Sequence, residues 1–173
     1  MALAPVITGP RLLLRPFVRE DITHAYLSWL NDPARMRFSR HRERRHDAAS
    51  GASYLDSFEG TQNYFWTVEE RHSGRMVGTM TAYFDGADAD VGILIGFPGQ
   101  GLGSEAWGMA LDYLLRIEKR GRVRGGTAAG HAIMRRVFER WGMVLEGETA
   151  GGIVRYGVTS DEWTGIAPGP ASG

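Results

Sequence analysis

The spacing of apolar residues changes period several times along the chain and divides it into elements. Residues 11–17 (RLLLRPF) form a short apolar run of strand length, whereas Ile22, Ala25, Tyr26, Trp29 and Leu30 recur at helical spacing within 21–31. Asn31-Asp32-Pro33 stops that helix. A weaker helical pattern spans 47–58, with Ala52, Leu55 and Phe58 on one side. After Gly60 the period becomes that of strands. Residues 63–71 and 75–84 flank the turn His72-Ser73-Gly74, Asp85-Gly86 starts a second turn, and 90–96 (DVGILIG) is a third consecutive strand, apolar enough for burial on both faces. The longest helix covers 102–120, with Trp107, Ala110, Leu114 and Ile117 inward and Glu105, Asp112, Arg116 and Lys119 outward. Then follow a strand at 122–127, a helix at 131–141 carrying Ile133, Met134, Val137 and Phe138, and two strands around Gly151-Gly152.

Antiparallel runs combined with one strand-helix-strand crossover indicate an α+β fold with a mixed, mostly antiparallel central sheet flanked by helices. A length of 173 residues suits a single domain, assigned to 1–163, and the aperiodic end 164–173 (TGIAPGPASG) reads as a flexible tail.

Composition narrows the chemistry. Twenty basic residues balance twenty acidic ones, and the basic run RHRERRH at 40–46 has no interleaved Phe, Tyr or Trp, so nucleic acid is not an expected partner. Cysteine is absent, which excludes disulfides and a thiol nucleophile. There is no apolar stretch of the roughly 20 residues needed to cross a bilayer and no secretory signal, so the expectation is a cytoplasmic protein that does not engage membranes. The aspartates 85, 88 and 90 lack the further oxygen ligands of a calcium loop, and no metal is expected. Glycine stands out: 24 residues, about twice the usual share of roughly 7 %.

Four of those glycines, Gly96, Gly99, Gly101 and Gly103, lie between the third strand and the main helix. Such a loop turns tightly and offers backbone N–H groups to an anion at a helix start, although a plain strand-to-helix turn uses glycine too. The GxxxxGK[ST] phosphate loop does not occur. Gly101-x-Gly103-x-x-Ala106 matches a dinucleotide fingerprint in form, but an antiparallel meander precedes it and no acidic residue ends the next strand, RVRGGT.

The strand DVGILIG, the loop FPGQGLGSEA, the following helix, VRGGT, HAIMRRVFERWGM and YGVTSDEW together resemble the GNAT family of acetyl-CoA-dependent N-acetyltransferases over roughly 11–163, most nearly the Rim-type branch of ribosomal-protein N-terminal and small-molecule acetyltransferases. The resemblance implies splayed strands at the cofactor site, with pantetheine paired to the backbone of Ile93, Leu94 or Ile95, and the pyrophosphate held at Gln100, Gly101, Leu102, Gly103 and Ser104. The family's first loop position is Arg or Gln, where this chain has Pro98. The stretch GTAAGHAIM puts His131 where the family has a cofactor-contacting Asn, and Phe138 where many members have a Tyr that protonates the leaving thiolate.

An attacking amine must lose a proton, and Asp90 and His131 are the candidate bases. Arg42, Trp66 and Tyr83 are candidate substrate contacts, the arginine for phosphate and the rings for stacking on a sugar or base. The expected activity is direct acetyl transfer from acetyl-CoA to the primary amine of a small molecule, in particular an amino sugar, free or nucleotide-linked, by a monomer or homodimer. Protein N-terminal acetylation and CoA binding without turnover are the alternatives.

Overall fold

The computed structural model describes residues 3–39 and 43–165. Arg42 and the part of the expected tail from residue 166 onward lie outside the described residues. Strands β1 (Ile7–Thr8) and β2 (Leu12–Pro16) lead through a 3-10 turn to helix α1 (His24–Leu30), which starts where Thr23 accepts a hydrogen bond from the Tyr26 N–H at 3.2 Å. The Asn31-Asp32-Pro33 stop also begins a further helix, α2 (Pro33–Met36), because Asp32 accepts from the Ala34 N–H and a proline at the first helical position forfeits no hydrogen bond. Asp47 caps α3 (Ala48–Asp56) in the same way. The meander follows as β3 (Tyr64–Glu70), β4 (Arg75–Asp85) and β5 (Asp88–Ile95). After it come α4 (Leu102–Asp112), β6 (Arg122–Ala128), α5 (Ala132–Arg140), β7 (Val144–Glu148) and β8 (Ile153–Thr159).

Among the described residues one sheet runs in the order β1-β2-β3-β4-β5-β6-β8-β7, and β5–β6 is its parallel pair. The α+β architecture expected from the element order is therefore the one observed. Strand alternation divides the apolar side chains between two layers. On one face Trp66, Met80, Val91, Val123 and Tyr156 pack against α4, through Ala106, Trp107 and Leu111, and against Phe138 of α5. On the other, Phe65 packs with Phe17 and with Tyr26 and Trp29 of α1, and Leu55 and Phe58 join them. No helix of the described residues is long and apolar enough to cross a membrane.

Three expectations need correction. Trp66, expected to stack on a substrate, is 0 % exposed and donates its indole N–H to the Pro5 carbonyl at 2.8 Å, because its strand position turns it into the α4 layer. Ile117, expected inward, is 58 % exposed. The last turn of that helix, Tyr113–Ile117, is a π-helix whose extra residue rotates Leu114 and Leu115 onto the sheet in its place. Ile133 is 70 % exposed, at the edge of an α5 stripe centred on Met134, Val137 and Phe138.

Candidate functional site

Strands β5 and β6 share four rungs, from Asp88 opposite Arg122 to Val91 opposite Gly125. Past that point β5 stays paired with β4 as far as Ile95 opposite Gly78, while β6 stays paired with β8 as far as Ala128 opposite Ile153. The sheet thus splits in its interior. Backbone alternation tells which groups the split leaves facing it. The Gly96 N–H donates to the Val77 carbonyl at 2.8 Å, and the Gly121 N–H donates to the Ala87 carbonyl at 2.8 Å. Even-numbered residues of β5 therefore direct N–H and C=O to β4, and odd-numbered ones to β6. Ile93 and Ile95 turn theirs into the split, whereas Leu94 turns its own toward β4.

A cavity of about 1120 Å³ occupies the split. Trp107, Met134, Phe138 and His131 line it from α4 and α5, and Tyr54, Phe65, Thr81, Asp90 and Arg155 line it from α3 and the strands. Gly125 sets the closeness of the aromatic wall: a Cβ there would lie 2.7 Å from the Trp107 ring and 3.1 Å from that of Phe138. Phe138 is fully buried and wedged between Trp107 and Tyr156, with ring centroids 5.0 and 5.1 Å away.

His131 occupies the position before the first turn of α5. Its Nδ1 lies 3.0 Å from Thr127 Oγ1, and its ring stacks on Phe38 with centroids 4.4 Å apart. Burial, and then the charge of Arg37, hold the imidazole pKa below its ordinary value of 6.5, so the ring is neutral at pH 7. Asp90 sits on the opposite face of β5 from Val91 and is ion-paired with Arg155 of β8. Tyr83, half-exposed, shares a hydrogen bond of 2.7 Å with the Tyr54 hydroxyl, and it is Tyr54 that lines the cavity.

At the end of β5 the glycine loop carries Gly99 at φ 85° and Gly101 at φ 72°, and Gly101 caps α4 without a side-chain hydrogen bond. The N–H groups of Leu102, Gly103 and Ser104 form the first turn, where no intrahelical acceptor exists. Arg11 braces the loop by donating to the Gln100 carbonyl at 3.0 Å and to the Glu105 carboxylate at 2.6 Å. The Leu102 side chain is buried, so only its backbone is available to a ligand. Ser104 Oγ accepts from the Trp141 indole N–H at 3.2 Å.

The expected cofactor contacts fall into three groups. Ile93, Leu94 and His131 line the split, whereas Gln100, Gly101 and Ser104 line a second cavity of about 820 Å³ outside α4, beside Trp141 and Trp163. Ile95, Leu102 and Gly103 line neither. Arg155 and Tyr54 escaped the sequence reading. The opposite charges of Asp90 and Arg155 were a usable signal, but only sheet order β5-β6-β8 brings them to the same face. Among the described residues no group of three or more His, Asp or Glu is placed to hold a metal ion.

The family described as acetyltransferase (GNAT) domain matches residues 11–144. No curated protein matches the chain. Among solved structures, a GNAT-family acetyltransferase from Bacillus anthracis is 20 % identical, with a TM-score of 0.80 over 91 % of this chain and 100 % of its own. A GCN5-related N-acetyltransferase from Brucella melitensis is 18 % identical, with a TM-score of 0.74 over 92 % of this chain and 80 % of its own. The spermidine N-acetyltransferase of Vibrio cholerae, solved with CoA and spermine, is 17 % identical, with a TM-score of 0.76 over 88 % of this chain and 97 % of its own. At these identities the likeness is one of fold.

Proposed function

The chain belongs to the GNAT acetyltransferase family, and on that premise we propose that it transfers an acetyl group directly from acetyl-CoA to the primary amine of a small molecule. The observation that carries this reading is the split after Val91 and Gly125, which leaves the backbone of Ile93 facing a cavity and the inner edge of Ile95 unpaired where β5 runs on toward the glycine-capped start of α4. Bound acetyl-CoA supplies an activated thioester carbonyl. The fit rests on donors present in this chain: the Ile93 and Ile95 amides in the split, and the first-turn N–H groups of α4 for the pyrophosphate, which favour an anion by position and by helix dipole.

The Ile93 N–H acts as an oxyanion donor, since a preorganised amide stabilises developing negative charge without the reorganisation that water requires. No acyl-enzyme is required; holding the amine beside the carbonyl supplies most of the acceleration. His131, neutral at pH 7, accepts the amine proton at Nε2 while Nδ1 is held by Thr127. Asp90 is the weaker candidate base, because its carboxylate is engaged by Arg155. Phe138 has no proton to give, so the thiolate leaves unassisted by that position and is protonated by solvent, which a thiol pKa of about 8.5 tolerates.

Tyr26, Leu30 and Met36 of α1 and α2 add an apolar wall to the cavity, whose concave form favours a small acceptor. The Vibrio cholerae neighbour's own acceptor class supports an amine. Within that class we favour an amino sugar, and the Rim-type branch as the nearest subgroup. Phe138 favours a second reading, CoA binding without turnover. A thiol-release screen with acetyl-CoA over amino sugars, polyamines and ribosomal N-terminal peptides decides. Turnover confined to small amines is the expected result, turnover confined to peptides contradicts the acceptor assignment, and tight CoA binding without turnover establishes the second reading.

A further inference from the structure

Resting on the acetyltransferase reading, we infer that the acceptor amine carries an anionic group, a phosphate or a carboxylate, on the part of the molecule that does not react. The inference comes from the charges around the split. Among the described residues lining the cavity, Arg35, Arg44, Arg45 and Arg155 are cationic, and Asp90 is the one acidic side chain. Asp90 is neutralised by Arg155. Arg35 is neutralised from outside the lining by Asp32 at 3.0 Å. Arg44 and Arg45, just ahead of α3, make no ion pair among the described residues. Two uncompensated guanidiniums thus stand on the same cavity as Tyr54 and Ser53 of α3.

A polyamine needs the opposite arrangement. Its non-reacting ammonium groups require free carboxylates, and the one lining carboxylate is already committed to Arg155. Guanidinium groups are suited to planar oxyanions, which they bind through paired N–H donors. Arg44 and Arg45 precede α3, on the side of the sheet away from α4 and α5 and from the α4 start assigned to the CoA pyrophosphate, so the anion they meet belongs to the acceptor.

The test measures thiol release with matched acceptors: glucosamine against glucosamine 6-phosphate, 4-aminobutanamide against 4-aminobutanoate, and spermidine. The anionic member of at least one pair is expected to have a kcat/KM about tenfold or more above its neutral partner, the size of one charge-assisted contact, and the pair that responds identifies phosphate or carboxylate. Arg44→Gln and Arg45→Gln are each expected to raise the KM for that acceptor by about tenfold and to leave the KM for acetyl-CoA within about twofold. A preference for spermidine or for the neutral members overturns the inference while the transferase reading stands. A rise in the acetyl-CoA KM instead overturns it by assigning the two arginines to the cosubstrate. Absence of acetyl-CoA binding in calorimetry overturns both.

Discussion

Val91 faces Gly125 in the last rung of the parallel pair, and one residue further along each strand the backbone partners are different ones. The causes lie on either side of that rung. Trp107 and Phe138 press on Gly125 from the helical layer, and β6 is held by seven rungs to β8 while β5 is held by eight to β4. Beyond that rung each strand keeps its outer antiparallel partner while its inner edge is left unpaired, so the opening lies between two well-paired halves of the sheet rather than in a flexible loop.

Gly125 therefore predicts a stability effect that does not depend on any ligand. In Gly125→Ala the new Cβ meets the Trp107 ring at 2.7 Å, and aromatic walls cannot retreat as a flexible chain end does. Overpacking of this kind costs about 1–3 kcal/mol, which lowers Tm by roughly 2–12 °C for a chain of this length. Calorimetric unfolding measures it, and an unchanged Tm shows that the aromatic wall moves freely.

At the start of α4 the prediction separates backbone from charge. Gly101 holds φ 72°, and the nearest atom to an added Cβ is an Arg11 nitrogen 3.6 Å away, so space is not the obstacle. Gly101→Glu combines left-handed strain of about 1–2 kcal/mol with a carboxylate placed where an anion is to bind. It should raise the KM for acetyl-CoA by about tenfold or more. Gly101→Asn, which tolerates the same backbone conformation without charge, should keep most of the binding. Equal losses in both variants would remove charge from the account.

Burial makes His131 a pH probe. In the unfolded chain the ring takes a proton near pH 6.5, whereas the folded ring takes one only at lower pH. The unfolded state thus binds more protons as pH falls below about 6.5, and stability falls with it. His131→Asn should flatten that part of the stability profile. If the ring also accepts the amine proton, the same variant lowers kcat by about 100-fold and removes an acid limb of kcat/KM below pH 6.5, while Asp90→Asn leaves that limb in place. A limb that persists in His131→Asn assigns the proton elsewhere.

The periodicity of the chain was enough to order the elements, because long amphipathic runs such as that around Trp107 and the three-strand meander are local patterns. Helix starts rest on equally local chemistry, Thr23, Asp32 and Asp47 each accepting from an N–H two or three residues on, yet the spacing alone marked Asp32 as a stop and began the first helix two residues before Thr23. The glycine loop was legible as a tight turn into a helix start, since that pattern lies within a few consecutive residues. What required the fold was everything that depends on which strands adjoin. Trp66 and Tyr64 differ from Phe65 only by parity, and parity does not say which face carries α4. Asp90 and Arg155 are 65 positions apart and meet only through β6. The exposure of Ile117 follows from one π-turn that leaves no mark in the hydrophobic spacing.

Amide hydrogen exchange, followed residue by residue with and without acetyl-CoA, tests the central claim most directly. The account predicts that acetyl-CoA slows exchange of the Ile93 and Ile95 N–H groups, which face the split, while Leu94, already paired with β4, changes little. Protection confined to Leu94, or no change anywhere along β5 at saturating acetyl-CoA, would contradict it.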